Sequence, residues 1–299
     1  MDKESSKKRP KVVKIIYTFA VLSALATIAS FFYPTVSDAW NRYVSSRLIS
    51  EYVSSTGEEA DYAAVYKKAA AYNKKLLKES TNNISMYTLK LSGDTTKNTT
   101  VLSGEVVHPD KTYESQIDVL DNGMMGYIEI PKIGVSLPIY HYTSEEVLGK
   151  GIGHLYGSSL PVGGKGTHAV LTGHCGLMDA RLFTDLDKLI TGDVFTVKVL
   201  DKALNYEVDQ IKTVLPNDLD ALSIDKDQDY VTLMTCTPYG INSHRLLVRG
   251  HRIADDQVAQ KTTAAENIRD AVRFPVTIFV IAALCILVHL TIIIKIWKG

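Results

Sequence analysis

The sequence predicts an all-β core, either a barrel or a sandwich, with helices before it and a membrane-spanning helix at each end. Short β-rich runs follow one another from residue 126 to residue 253, and turn-forming Gly, Pro and Asp residues separate them. Residues 15–33 form an apolar stretch of nineteen residues without a charge, and residues 274–294 form one of twenty-one. About 20 apolar residues cross the hydrocarbon core of a bilayer. With 45% hydrophobic residues among 299, the chain can build one sizeable core besides these two spans.

Charge around the two apolar stretches predicts the topology. Residues 1–14 form a basic tail with six Lys and Arg, and residues 295–299 carry two lysines. Because basic residues favour the cytoplasmic side, we expect both termini in the cytoplasm and residues 34–273 across the membrane. A cleaved signal peptide is the alternative. It is less favoured because the first apolar stretch is longer than a usual signal-peptide core and a poor cleavage site follows it.

Residues 34–125 are predicted to contain N-terminal helices and a polar insertion. Apolar side chains recur at three- and four-residue spacing over 37–55, and residues 58–78 are rich in Ala, Lys and Tyr. Each of these ranges therefore predicts a helix. Residues 80–122 carry Asn, Ser, Thr and Gly throughout, which indicates irregular structure or a mobile insertion.

The β-rich domain is predicted over residues 126–253. A short helix is expected around 182–189, and the charged, Ala-rich residues 254–273 predict a helical stalk into the second span. The predicted strands are 126–130, 135–140, 167–172, 194–200, 204–214, 230–235 and 245–251.

Three residues at the ends of predicted strands form the candidate site. Cys236 ends one β-rich run, and Arg245 begins the next after a turn that contains Pro and Gly. If these runs pair as a hairpin, the two side chains lie opposite each other with Cβ atoms roughly 5 Å apart. His174 follows another run, which ends in Thr-Gly. A thiol needs a base to become a nucleophile, and a guanidinium can bind an oxyanion, so this set suits covalent acyl transfer.

Charge and cysteine content disfavour other classes of protein. The region between the two spans holds 25 basic and 31 acidic residues, which is not the basic patch of a nucleic-acid-binding protein. The three cysteines, Cys175, Cys236 and Cys285, are too few for a disulfide scaffold, and Cys285 lies within the second span. A metal site at His168, His174 and Cys175 would lack a fourth ligand. We therefore expect no metal and no cofactor.

The ordered motifs resemble those of the sortases, which are membrane-anchored transpeptidases, and more narrowly the class C, pilin-polymerising sortases. The family pattern is Thr-Leu-x-Thr-Cys, an arginine shortly after it, and a preceding Leu-x-Gly-His. Here it occurs as Thr232-Leu-Met-Thr-Cys236, Arg245 and Leu171-Thr-Gly-His174. The similarity covers most of residues 33–295 and extends to the segments 33–41, 126–133, 138–140, 153–164 and 237–242 and to the second span.

This resemblance implies a closed sortase-type β-barrel and a defined reaction. Cys236 would attack the Thr–Gly carbonyl of a sorting signal similar to Leu-Pro-x-Thr-Gly. His174 would protonate the leaving amine and activate the incoming one, and Arg245 would hold the substrate backbone and stabilise the oxyanion. A pilin lysine would then release the thioacyl intermediate as an isopeptide bond. The resemblance also implies pilin subunits as partners and the cell membrane of a Gram-positive bacterium as the location.

Two departures from the family pattern give further hypotheses. Many class C sortases carry an Asp-Pro-aromatic tripeptide that covers the cysteine, and none occurs in residues 56–125. We therefore expect an active site that is uncovered or is covered by another segment. Cys175 stands where relatives commonly have arginine. If strand alternation continues, Cys175 points away from Cys236 and is a passive thiol, whereas the alternative is a reversible disulfide with Cys236.

Other functions remain open from the sequence. A sortase that transfers surface proteins to the cell-wall peptide would use the same residues with a different acceptor. A membrane-anchored scaffold for pilus assembly would keep Cys236 only as a structural thiol. A hydrolytic cysteine protease is less favoured because nothing in the chain resembles that fold.

Overall fold

A computed structural model provides the structure of the chain. Most of the expected stalk, most of the second span and most of the polar insertion lie outside the part that it describes. The described residues are 3–57, 60–79, 110–177, 180–255, 284, 287–289, 291 and 294. They divide into two compact units, residues 1–39 with 272–299 and residues 40–271.

Helix α1 (Lys3–Ser55) is one continuous helix of 53 residues. The apolar stretch 15–33 and the helix expected over 37–55 are therefore parts of the same element. Its portion from Lys11 to Ser55 is the one helix in the described part of the chain that is long and apolar enough to cross a membrane. Large apolar side chains such as Phe19 and Phe31 are exposed along it, which suggests membrane anchoring.

The predicted closed β-barrel is confirmed. Its eight strands follow the order β1-β2-β3-β4-β7-β8-β6-β5, and the last strand pairs with the first. The β2–β3 and β4–β7 pairs are parallel, and the other pairs are antiparallel. The strands are β1 (Met124–Ile130), β2 (Val135–His141), β3 (Ile152–His154), β4 (Thr167–Thr172), β5 (Val194–Val199), β6 (Lys202–Val214), β7 (Asp229–Thr237) and β8 (His244–Arg252).

Other α-helices in the described part of the chain lie before the barrel strands or between them, one of 17 residues and two of four and six residues. They are α2 (Ala63–Glu79), α3 (Lys111–Glu114) and α4 (Glu145–Lys150). The helix expected around 182–189 is instead a single 3-10 turn at Leu186–Lys188. Leu182 adopts φ of +37°, which is incompatible with a right-handed helix beginning there.

Strand alternation separates two clusters of buried side chains on β4, β7 and β8. Leu171, Leu233 and Val248 belong to the main core. Their sequence neighbours Val170, Met234, Leu247 and, further along β7, Cys236 belong to a second cluster on the opposite face. Buried Leu148 of α4 and Leu222 are also members of that cluster. Cys236 is thus placed on a covered face of the barrel wall rather than in its interior.

Side-chain hydrogen bonds join α1 and α2 to the barrel. The Tyr52 hydroxyl donates to the Met125 carbonyl at 2.9 Å and accepts from the Leu200 amide at 2.8 Å. The Asn73 side chain of α2 binds both backbone groups of Leu160, at 3.0 and 2.7 Å. Because all these groups are buried, the barrel wall keeps these contacts away from competing water.

Candidate active site

Cys236 and Arg245 lie directly opposite each other, as the hairpin interpretation predicts. They are register partners in the antiparallel β7–β8 pair. The connecting turn begins with a cis Thr237–Pro238 bond. Inside the turn, the amides of Ile241 and Asn242 both donate to the Pro238 carbonyl, at 3.1 and 3.0 Å. The turn therefore closes tightly over the end of the hairpin at which the thiol and the guanidinium stand.

The Arg245 guanidinium is buried and only partly hydrogen-bonded. The residue is 2% exposed, and its Nη1 donates to the carbonyls of Asn242 and His244 at 3.1 and 2.9 Å. Its Nε and Nη2 are buried and have no hydrogen-bond partner among the residues that the structure describes. A buried donor without an acceptor costs about 1–3 kcal/mol, and more when it is charged. Two donors of a permanent cation are thus available to an acceptor that enters the site.

His174 is held next to the end of β7 by bonds to the residue before it. Strand β4 runs parallel to β7, with Thr172 beside Met234. Beyond the end of β4, the Gly173 amide donates to the Met234 carbonyl at 3.1 Å. The Thr235 hydroxyl donates to the Gly173 carbonyl at 2.7 Å. The residue that follows Gly173 therefore lies at the same barrel edge as the residue that follows Thr235, which is Cys236.

The carboxylate of Glu145, which the sequence analysis did not single out, lies beside the imidazole of His174. Glu145 Oε2 lies 3.4 Å from His174 Nε2. Glu145 begins α4, which Ser144 caps by accepting a hydrogen bond from the Val147 amide. The pattern of a serine followed by glutamates could have predicted the short helix, but nothing in the sequence connects it with His174.

The surroundings of Cys236 favour the protonated form of its thiol. Burial raises the pKa of Cys236, the positive charge of Arg245 opposes that rise, and the negative charge of Glu145 adds to it. Burial also lowers the pKa of Arg245 below its usual value, although the thiolate form of Cys236 would counteract this. A free thiolate is therefore disfavoured beside the guanidinium.

Cys175 is a second free thiol close to this site. Cys175 is half-buried, and no disulfide joins it to Cys236 in the structure. Burial raises the pKa of Cys175, and the negative charges of Asp187, of Cys236 as thiolate and of Asp185 act in the same direction. The strand alternation used to orient Cys175 does not reach it, because β4 ends at Thr172. Its role as a passive thiol or a disulfide partner stays a prediction.

The segment expected to contain a cover for the cysteine lies mostly outside the described residues. Of residues 80–122, only 110–122 are described. None of these belongs to the buried cluster that contains Cys236, whose other members come from the barrel, α4 and residues 219–222. Within the described part of the chain, the thiol is thus enclosed by the barrel and its own connections.

Two loops of the site pack against each other at a glycine. Gly176 adopts φ of +85°, and a Cβ built on it would stand 3.1 Å from the Tyr239 ring. Its amide donates to the Thr184 hydroxyl at 3.1 Å. Because Gly176 follows His174 and Tyr239 follows Cys236 along the chain, this contact joins the loop after β4 to the loop after β7. A side chain at position 176 would separate the two loops.

Comparisons with known proteins identify the family. The family model for the sortase domain matches residues 128–253. Sortase C1 of Streptococcus agalactiae is 46% identical, and the match covers 70% of this chain and 100% of that one with a TM-score of 0.57. A sortase C of Streptococcus pneumoniae is 42% identical, with coverage of 70% and 97% and a TM-score of 0.52.

A more distant relative matches the barrel region. Sortase D of Bacillus subtilis is 29% identical over 131 residues, which are 43% of this chain and 63% of the relative. This chain therefore spans less than two thirds of that relative's length. The closed eight-stranded barrel, the order of its motifs and the full coverage of a solved class C structure agree with one another. The chain belongs to the sortase family, and within it to class C.

Proposed function

We propose that this protein is a cysteine transpeptidase that polymerises pilins. It cleaves a sorting signal similar to Leu-Pro-x-Thr-Gly between Thr and Gly and joins the acyl group to a lysine amine of another pilin subunit. One observation supports this most directly: the buried Arg245 keeps two unpaired donors opposite a thiol in the β7–β8 register. Such a pair suits a reaction that creates negative charge on a carbonyl oxygen.

In the first step, the Cys236 sulfur attacks the carbonyl carbon of the threonine while His174 accepts the proton of the thiol. A C–S bond forms, and the carbonyl oxygen becomes an oxyanion that accepts hydrogen bonds from Nε and Nη2 of Arg245. The tetrahedral intermediate collapses when its C–N bond breaks, and His174 gives a proton to the departing glycine amine. The products are a thioester on Cys236 and the released C-terminal fragment. This divides one difficult amide exchange into two easier steps.

In the second step, the lysine amine of another pilin attacks the thioester. His174 accepts the proton that the attacking amine loses, and Arg245 again holds the oxyanion. The C–S bond breaks, the departing sulfur takes that proton from His174 and returns as the Cys236 thiol, and an isopeptide bond joins the subunits. The raised pKa of Cys236 fits this cycle, because a neutral thiol at rest resists oxidation and alkylation between turnovers.

The surroundings that we propose are a Gram-positive cell membrane and its outer face. The N-terminal apolar helix suggests an anchor, and we infer a second span at residues 274–294 with both termini cytoplasmic. The crystal structure of the Streptococcus pneumoniae sortase C provided insights into the pilin substrate specificity of that enzyme. A pilin substrate for this chain is proposed from that similarity.

The deciding experiment incubates the detergent-solubilised full-length chain with a purified pilin subunit that carries such a signal. We expect a ladder of covalent multimers on denaturing gels, which Cys236→Ala abolishes. Cys175→Ala is the matched control, because it removes the other free thiol near the site and should keep the ladder. Arg245→Lys should lower kcat about 100- to 1,000-fold, as expected for loss of an oxyanion donor.

The same assay separates the alternatives. Exchange onto oligoglycine or wall peptide without multimers would indicate a sortase that attaches proteins to the cell wall. Multimers that persist in Cys236→Ala would indicate a scaffold without a catalytic thiol. Release of the free acid alone would indicate a hydrolase.

A further inference from the structure

The first turn of α4 fixes a carboxylate at the rim of the site. Ser144 caps the helix, and Leu148 anchors it because this leucine is fully buried in the cluster that contains Cys236. Glu145 therefore does not depend on a mobile loop for its position. Its side chain is 68% exposed, yet Oε2 stands 3.4 Å from His174 Nε2.

The adjacent glutamate has a different partner, although it has the same chemistry. Glu146 Oε1 accepts a hydrogen bond from Lys150 Nζ at 2.9 Å, within the same helix. Of these two neighbouring carboxylates, only Glu145 is paired with a residue of the proposed catalytic set. This difference provides a matched pair of positions for experiments.

We propose that Glu145 is a positioning residue for His174, an inference that rests on the function proposed above. Its carboxylate holds Nε2 and thereby fixes the plane of the imidazole ring. Nδ1 is then left to exchange protons with the substrate. Glu145 would touch neither the substrate nor the reacting sulfur.

The negative charge of Glu145 also acts on the Cys236 thiol. It raises the pKa of Cys236, after burial and against the opposing effect of Arg245. These are the charged groups that act on the thiol from β8 and α4. Glu145 thus favours the protonated form of Cys236 before the substrate binds.

The first test measures chemical modification and needs no turnover. In the full-length protein, iodoacetamide labelling of the Cys236 peptide and diethyl pyrocarbonate labelling of the His174 peptide are followed by mass spectrometry against pH. We expect Glu145→Gln to label about two-fold faster at both positions near neutral pH, because the thiol loses a nearby negative charge and the imidazole ring is held less firmly. The effect is small because the Glu145 side chain is exposed. Glu146→Gln should label like the wild type.

The second test measures acylation by a sorting-signal peptide. Glu145→Gln should lower kcat about three- to ten-fold and leave KM unchanged, because the ring is less well placed but the substrate contacts remain. At 1 M salt, where the Debye length is about 3 Å, the difference from the wild type should shrink. Glu146→Gln should match the wild type at both salt concentrations.

The outcomes distinguish this inference from the proposed function. If the wild type fails to acylate, the proposed function fails, and the labelling comparison alone decides whether Glu145 holds His174. Equal labelling in Glu145→Gln and the wild type would overturn the positioning role. So would equal effects of the two glutamine variants, or faster labelling without any loss of kcat.

Discussion

Two threonines beside the site should respond oppositely to the same substitution. The Thr235 hydroxyl is buried and donates to the Gly173 carbonyl at 2.7 Å. The Thr172 hydroxyl, one strand away, is buried without a partner among the described residues. Valine replaces the hydroxyl by a methyl group at nearly the same volume. Thr235→Val therefore removes a buried hydrogen bond, whereas Thr172→Val removes a hydroxyl that has nothing to bind.

The magnitudes follow from the cost of unmade hydrogen bonds. Thr235→Val also leaves the buried Gly173 carbonyl without this donor, so we expect a loss of about 1–3 kcal/mol in the free energy of unfolding. Thr172→Val relieves an unsatisfied buried hydroxyl and should gain about 1 kcal/mol. For a chain of this size, 1 kcal/mol corresponds to about 2–4 °C in Tm. The two variants should thus lie on opposite sides of the wild type.

Circular dichroism during thermal unfolding of the full-length chain in detergent would measure this difference. Thr196→Val is a useful control, because its hydroxyl donates to Asn205 at 2.7 Å on β5, away from the site. It should lower Tm without affecting transpeptidation. Thr235→Val should lower transpeptidation more than ten-fold at temperatures where it is folded, because Gly173 no longer fixes the following histidine. Equal Tm values for Thr235→Val and Thr172→Val would refute the reasoning.

Three further predictions concern stability and the rim of the site. Burial lowers the pKa values of His154 and His168 to about 4. In the unfolded chain these histidines bind protons below about pH 6.5, whereas in the folded chain they stay neutral down to about pH 4. The free energy of unfolding should therefore be highest above pH 6.5 and fall toward pH 4, by up to about 1.4 kcal/mol per pH unit for each histidine. A flat Tm between pH 7 and 5 would contradict this. Tyr52→Phe should cost about 1–3 kcal/mol in unfolding free energy, because two buried backbone groups lose their partner; an unchanged urea midpoint would disprove it. Gly176→Ala should lower both Tm and kcat, because its φ is strained for alanine and its Cβ meets Tyr239; wild-type kinetics would argue against a role for that loop contact.

Most strands of the barrel could be predicted because they are long enough to show their period, whereas the closure of the barrel was implied only by the family resemblance. The strands expected at 167–172 and 194–200 correspond to Thr167–Thr172 and Val194–Val199. β3 was missed because it contains three residues, Ile152–His154, which is too short for alternation to be recognised. The apolar stretch 15–33 and the helix expected over 37–55 were predicted separately, and α1 contains both.

Only some contacts of the candidate site could be predicted from the sequence. The Cys236–Arg245 pairing follows from a hairpin, which is a local feature that turn residues reveal. By contrast, the Thr235–Gly173 bond joins residues 62 apart and depends on the parallel β4–β7 register. The approach of Glu145 to His174 likewise requires α4 to fold back over the barrel wall. No local pattern encodes either contact.

The arrangement of polar groups explains how the fold tolerates the unpaired donors of Arg245. A buried guanidinium with two unmade hydrogen bonds destabilises the fold by several kcal/mol unless neighbouring structure compensates. Here the compensation is local, because Nη1 is bound by two carbonyls of a tight turn and the strand carrying it is paired on both sides. The unmet donors are thus concentrated where a substrate carbonyl oxygen would enter. An oxygen with a full negative charge binds these donors more strongly than a neutral carbonyl oxygen does. The guanidinium therefore stabilises the tetrahedral intermediate more than the bound peptide, and this difference accelerates the reaction.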